Sequence, residues 1–153
     1  MGLETAAWLT DEKYTLISCA VVIIWGAIGY QVIVILAGLQ NISTTYYEAA
    51  KIDGANAVQR FISITFPMIT PTIFFLLITR VIGAFNQFDL VYMLGGNEGP
   101  VQESLRTLVF GIYKSGFVEY SMGYASAKAV ILFGIILIVT FFQFLGEKKW
   151  VNY

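Results

Sequence analysis

Long apolar runs alternate with polar segments along the chain, and that alternation predicts its elements. From Thr15 to Leu39 no charged residue occurs. At about 1.5 Å per helical residue, this run exceeds the roughly 30 Å hydrocarbon core of a bilayer. A first transmembrane helix is therefore expected over 15–39. Trp25, Gly26, Gly29 and Tyr30 break its evenness, and Gly26 with Tyr30, four residues apart, offers a seat for a neighbouring helix.

A second apolar run over 68–94 predicts another spanning helix, this one carrying polar groups. Arg80 falls near its middle, with Asn86, Gln87 and Asp89 in its later half. A mid-bilayer arginine costs about 2.5–3.5 kcal/mol on insertion scales, so Arg80 should face protein or water and not lipid. Arg80 and Gln87, seven apart, and Arg80 and Gly83, three apart, would share a helix face. That face is either an aqueous path or a structural seat for Arg80 beside a neighbouring helix.

Between these runs, 43–66 is polar and rich in small residues. Thr45, followed three residues later by Glu48, has the form of a capping box that starts a short helix. Gly54 can end that helix in the left-handed conformation, and a second short helix over 55–64 would follow. A helix, a turn and a helix are thus expected. Pro67 and Pro71 then mark entry into the next run, where proline is tolerated in a first turn.

The segment 95–122 starts with turn-forming residues and becomes mildly amphipathic, which predicts an extramembrane loop with a short helix. Its Gly95–Pro100 stretch lacks the Gly-Lys-Ser/Thr ending of a phosphate loop. A third spanning helix is expected over 123–145, with Gly123 and Ala127, and Ala125 and Ala129, spaced for close packing. Lys128 is near enough to its end to snorkel. The tail, 146–153, ends in Lys148, Lys149, Trp150 and Tyr153, which suit a membrane interface.

Composition agrees: 58% of residues are hydrophobic and 12% charged, against roughly 45–50% apolar in soluble domains. With a net charge of -1 and scattered basic residues, no nucleic-acid partner is expected. Histidine is absent and Cys19 is the single cysteine, so no metal, cofactor or catalytic residue is expected. The acidic Met1–Lys13 does not read as a secretory signal. Lysine and arginine counts are too even to set an orientation.

Glu48-Ala49-Ala50, three residues, Gly54, nine residues, and then Ile64-Thr65-Phe66-Pro67 resembles the EAA loop of binding-protein-dependent ABC importer permeases. Phe66 stands where that pattern has leucine. LAGLQNI, FPMITPTIFF, IGAFNQFDLVYMLGGNEGP, SMGYASAKAVILF and KKWVNY extend the resemblance along nearly the whole chain, to the carbohydrate-uptake branch that handles sugars and glycerol phosphate.

The resemblance implies an all-α membrane protein, the C-terminal half of a permease fold of roughly double this length, in a bacterial or archaeal plasma membrane. It implies a cytoplasmic loop over 43–66, an extracytoplasmic one over 95–122 and a cytoplasmic tail. Glu48, Ala49, Ala50, Asp53 and Gly54 would dock on a separate ATPase subunit, with Ile64 and Pro67 anchoring the loop. A second permease subunit and an extracytoplasmic solute-binding protein would be the other partners. Arg80, Asn86, Gln87 and Asp89 are the candidates for contacting a sugar-like solute. ATP hydrolysis would occur on the partner, so no enzymatic activity is expected of this chain. The alternative is a three-span membrane scaffold that transports nothing.

Overall fold

The computed structural model describes Trp8, residues 12–95, 106–148 and Val151. Among these residues every regular element is helical. The first apolar run forms α1, Glu12–Gln40, whose 29 residues rise about 44 Å. Next come α2, Thr44–Ile52, and α3, Ala57–Arg60. A π-helical stretch, Phe61–Thr65, leads directly into α4, Phe66–Phe85. Then follow α5, Asp89–Gly95, and α6, Leu108–Tyr113, which continues into a second π stretch, Lys114–Val118. The last element is α7, Met122–Glu147.

Among the described residues, three helical segments are long and apolar enough to cross a membrane: Tyr14–Gln40, Ala57–Met93 and Met122–Glu147. Their apolar side chains largely point outward, Trp25 (79% exposed) and Val130 (70%) among them. Hydrocarbon or neighbouring helices suit such a surface, because a helix bonds most of its backbone groups within itself. Gly96–Pro100, Lys149, Trp150 and Tyr153 lie outside the described residues.

The run expected as one helix over 68–94 is interrupted. Asn86 ends α4: its backbone N–H and its side-chain Nδ2 both donate to the Ile82 carbonyl, at 3.2 and 3.0 Å. The Gln87 N–H then donates to the Ala84 carbonyl at 3.4 Å, which tightens the last turn, and the chain is helical again from Asp89. A side-chain amide that caps its own helix competes with continuation, as asparagine commonly does.

At the start of this run no break occurs. Pro67 occupies the second residue of α4 and Pro71 lies inside it. A proline at 71 has no N–H to give the Pro67 carbonyl one turn back. The Thr70 hydroxyl supplies the missing bond, donating to that carbonyl at 2.7 Å.

The chain divides into two compact units, Met1–Ala27 with Ile82–Val139, and Ile28–Val81 with Thr140–Tyr153. The first is centred on Cys19, Val91 and Phe110, with Phe88 and Tyr92 packed against them. Phe88 stacks on Tyr92 at 5.3 Å between ring centroids and leans on Tyr113 at 5.1 Å. In the second unit Ile42, Ile69, Phe74 and Leu76 are buried, and Phe74 meets Phe144 edge-on at 5.5 Å.

The close helix approach lies at Gly38, not at the expected Gly26. A Cβ built on Gly38 would fall 2.7 Å from Thr72 Oγ1, whereas one on Gly26 meets nothing within 4 Å. Small size is therefore required where α1 crosses α4 in the second unit, and sequence spacing alone did not distinguish that glycine from its neighbours.

Candidate functional site

Ser43, and not Thr45, caps α2. Ser43 has the extended backbone of a cap residue, and its Oγ accepts from the Thr45 N–H at 3.4 Å while sharing a 2.6 Å hydrogen bond with Thr45 Oγ1. The Thr45–Glu48 capping box is therefore not formed, because Thr45 already stands inside the first turn. Glu48 is left exposed on the helix.

The other end of α2 closes as a Schellman motif. The Ala55 N–H donates to the Ala50 carbonyl at 2.9 Å and the Gly54 N–H to that of Lys51 at 3.1 Å. This path needs a left-handed residue, and Gly54 takes φ 77°. A proline there would be wrong twice, in φ and in lacking the donor.

α2 has a seated side and an open side. Tyr47 and Ala50, three residues apart, are half-buried, and the Tyr47 hydroxyl shares a 2.9 Å hydrogen bond with Thr65 Oγ1 in the π stretch. Glu48, Ala49, Ile52 and Asp53 are exposed. Ile52, at 87% exposure, is an apolar residue on the open side that the motif alone did not single out, though it lies three residues from Ala49 on the same face.

α3 carries its own capping box. The Gln59 N–H donates to Asn56 Oδ1 at 2.9 Å and the Asn56 N–H to Gln59 Oε1 at 2.8 Å. Exposed Val58, Phe61 and Ile62 follow on α3 and the π stretch. Ile64 and Pro67 are half-buried at the root of the loop. The loop thus presents a thin, acidic and apolar surface on α2, held from behind by one tyrosine and closed by one glycine.

The four polar residues expected along a solute path fall into different settings. Arg80, in the second unit, places its guanidinium 5.9 Å from the centre of the Tyr30 ring, a cation–π contact. Asn86, Gln87 and Asp89 lie in the first unit, around the turn between α4 and α5. Gln87 is beyond the end of α4, so the seven-residue spacing from Arg80 does not set both on one helix face. Its carbonyl accepts from the Thr107 hydroxyl at 3.4 Å. Asp89 is exposed in the first turn of α5. Asn86 borders an apolar cavity of about 430 Å³ lined by Ile82, Val109, Ile112, Ala129 and Leu132.

Another cavity in the first unit, of about 450 Å³, collects charged groups that the sequence scattered. Arg106, Lys114, Glu119, Tyr124 and Lys128 line it. Lys128 does not snorkel freely: its Nζ donates to Ser115 Oγ at 2.8 Å and to the Gly111 carbonyl at 3.4 Å, and lies 4.3 Å from the centre of the Tyr124 ring.

Comparison with known proteins identifies the family of the chain. The chain is 39% identical over 150 residues to the sn-glycerol-3-phosphate transport system permease protein UgpA of Brucella abortus, a match that covers 96% of the chain and 50% of UgpA. To the arabinooligosaccharides transport system permease protein AraP of Bacillus subtilis it is 34% identical over 140 residues, 92% of the chain and 44% of AraP. The chain spans about half the length of these curated relatives. Among solved structures, a chain of a bacterial alginate ABC transporter, crystallised with an alginate pentasaccharide-bound periplasmic protein, superposes with a TM-score of 0.83. That match has 27% identity and covers 97% of this chain and 51% of the other. Residues 2–152 match the family of binding-protein-dependent transport system inner membrane components, and the chain belongs to that family.

Proposed function

We propose that this chain is the coupling-loop half of the permease of an ATP-driven importer that moves a sugar-like solute handed over by an extracytoplasmic binding protein. The observation that carries the reading is the geometry of α2. It is a short helix with one side seated by Tyr47 and the other open through Glu48, Ala49, Ile52 and Asp53, at the motif position typical of the family.

In this reading the open side enters a groove on a separate ATPase subunit. The two alanines keep the helix thin, Ile52 supplies apolar contact, and the carboxylates of Glu48 and Asp53 meet basic groups. Ile64 and Pro67 anchor the loop in the membrane. The loop and the tail are cytoplasmic, and the segment 95–122 lies on the opposite side. Closure of the ATPase would move α2, and the uninterrupted helical path from α3 through the π stretch into α4 would carry the motion into the membrane, a change between discrete arrangements of rigid elements. A second permease subunit would complete the path. The chain itself performs no covalent chemistry.

For the solute, the relatives point to hydroxyl-rich compounds: one is named for sn-glycerol-3-phosphate and another for arabinooligosaccharides. Arg80, Asn86, Gln87 and Asp89 have the hydrogen-bonding groups such a solute needs. The scaffold alternative has no observation in its favour.

The docking reading is tested with Gly54→Pro in the assembled transporter. Co-purification of the ATPase and solute uptake should both be lost, while the protein still reaches the membrane. Unchanged ATPase association and uptake would sink the reading.

A further inference from the structure

The cavity around Lys128 gathers charged groups inside a largely apolar unit. Lys128 lies six residues into α7 from Met122, about 9 Å along the helix, where a cation is costly unless it is bonded. The Ser115 hydroxyl, itself 1% exposed, the Gly111 carbonyl and the Tyr124 ring fix its position. All three partners are uncharged, so they orient the ammonium without neutralising it. Arg106 and Lys114 bring two further cations to the same lining, and Glu119 one carboxylate. Lys114 opens the second π stretch, a local irregularity that recurs at functional sites.

A volume of about 450 Å³ is in the range of small-molecule sites. Two ammonium groups on one lining match the oxygens of a phosphate, sulfonate or carboxylate.

We propose that this cavity binds an oxyanion head group, with Lys128 as the fixed cation at its wall and Lys114 as its further donor. The head group belongs either to an anionic solute or to an anionic lipid. The site does not depend on the transport reading, since binding requires neither the ATPase nor turnover.

The test uses the full chain in phosphatidylcholine nanodiscs, titrated with inorganic phosphate at ionic strength held constant with chloride, and followed by its unfolding temperature. A saturable rise is expected. K128Q should weaken the apparent affinity about tenfold, the loss of one charge-assisted hydrogen bond, and K128R should keep most of it. E119Q removes the carboxylate that opposes the anion and should tighten binding. That opposite shift is one that loss of packing would not produce, and it stands even if K128Q fails to fold.

In a parallel arm, phosphatidylglycerol is blended into the nanodiscs. Stabilisation of wild type but not K128Q by the lipid, with nothing added by phosphate, identifies a lipid head group as the occupant. Stabilisation by phosphate alone identifies a soluble anion. If neither stabilises the protein, or if K128Q and E119Q respond as wild type does, the proposal is overturned.

Discussion

The hydroxyl of Thr70 does for the Pro67 carbonyl what a backbone N–H does elsewhere in α4. Pro71 withholds that N–H, and the threonine beside it reaches back 2.7 Å to the same oxygen. Thr70→Val keeps the shape and removes the donor, so it should cost about 1 kcal/mol of stability, read from denaturant unfolding of the purified protein. Thr70→Ser should cost less. An equal loss for both would point to packing in place of the bond. The missing donor at Pro71 is legible in a sequence, because proline always lacks it; the remedy is not, since it depends on the threonine rotamer. The caps teach the same lesson. Thr45 and Glu48 had the right spacing for a capping box, yet Ser43 has the extended backbone that a cap requires, and Asn56 with Gln59 forms the box further on.

At the scale of elements, the loop was the more legible part, because a turn that needs a left-handed residue names Gly54 almost unaided. What spacing did not reveal was how α2 is held. No residue of α2 is fully buried, and its long-range side-chain bond among those described joins Tyr47 to Thr65. Tyr47→Phe should therefore loosen α2 without unfolding the spanning helices. Amide exchange at Asp53, Gly54 and Ala55, whose N–H groups close the helix, is expected to quicken about fivefold, the equivalent of one net hydrogen bond of about 1 kcal/mol. Exchange unchanged at those amides would show that the tyrosine does not seat the helix. The break at Asn86 was hidden for a different reason: apolar residues resume beyond the polar Asn86, Gln87 and Asp89, and a single capping amide decides the matter.

For the whole molecule, apolar length made the three candidate spans readable. The grouping of Arg106, Lys114 and Lys128 around one cavity was not, because they lie on separate elements and come together only when α6 packs beside α7. Sidedness follows from the proposed function and can be measured. Asp53→Cys and Glu119→Cys, introduced singly, should react with an impermeant maleimide from opposite faces of the membrane. Cys19, at 3% exposure, should give little background. Labelling of both from one face would contradict the proposed orientation.

The π stretch at Phe61–Thr65 also governs where the chain tolerates a change of length. A π turn holds one residue more than the α turn it replaces. Removing a residue elsewhere in a continuous helix swings everything beyond it by about 100°, which would pull Ile69, Phe74 and Leu76 out of their buried positions. Removing Ser63 instead returns the bulge to an ordinary turn and leaves both flanking faces in phase. The chain thus carries a spare residue at the root of the 43–66 loop, where a deletion can be absorbed without rotating the helix beyond it.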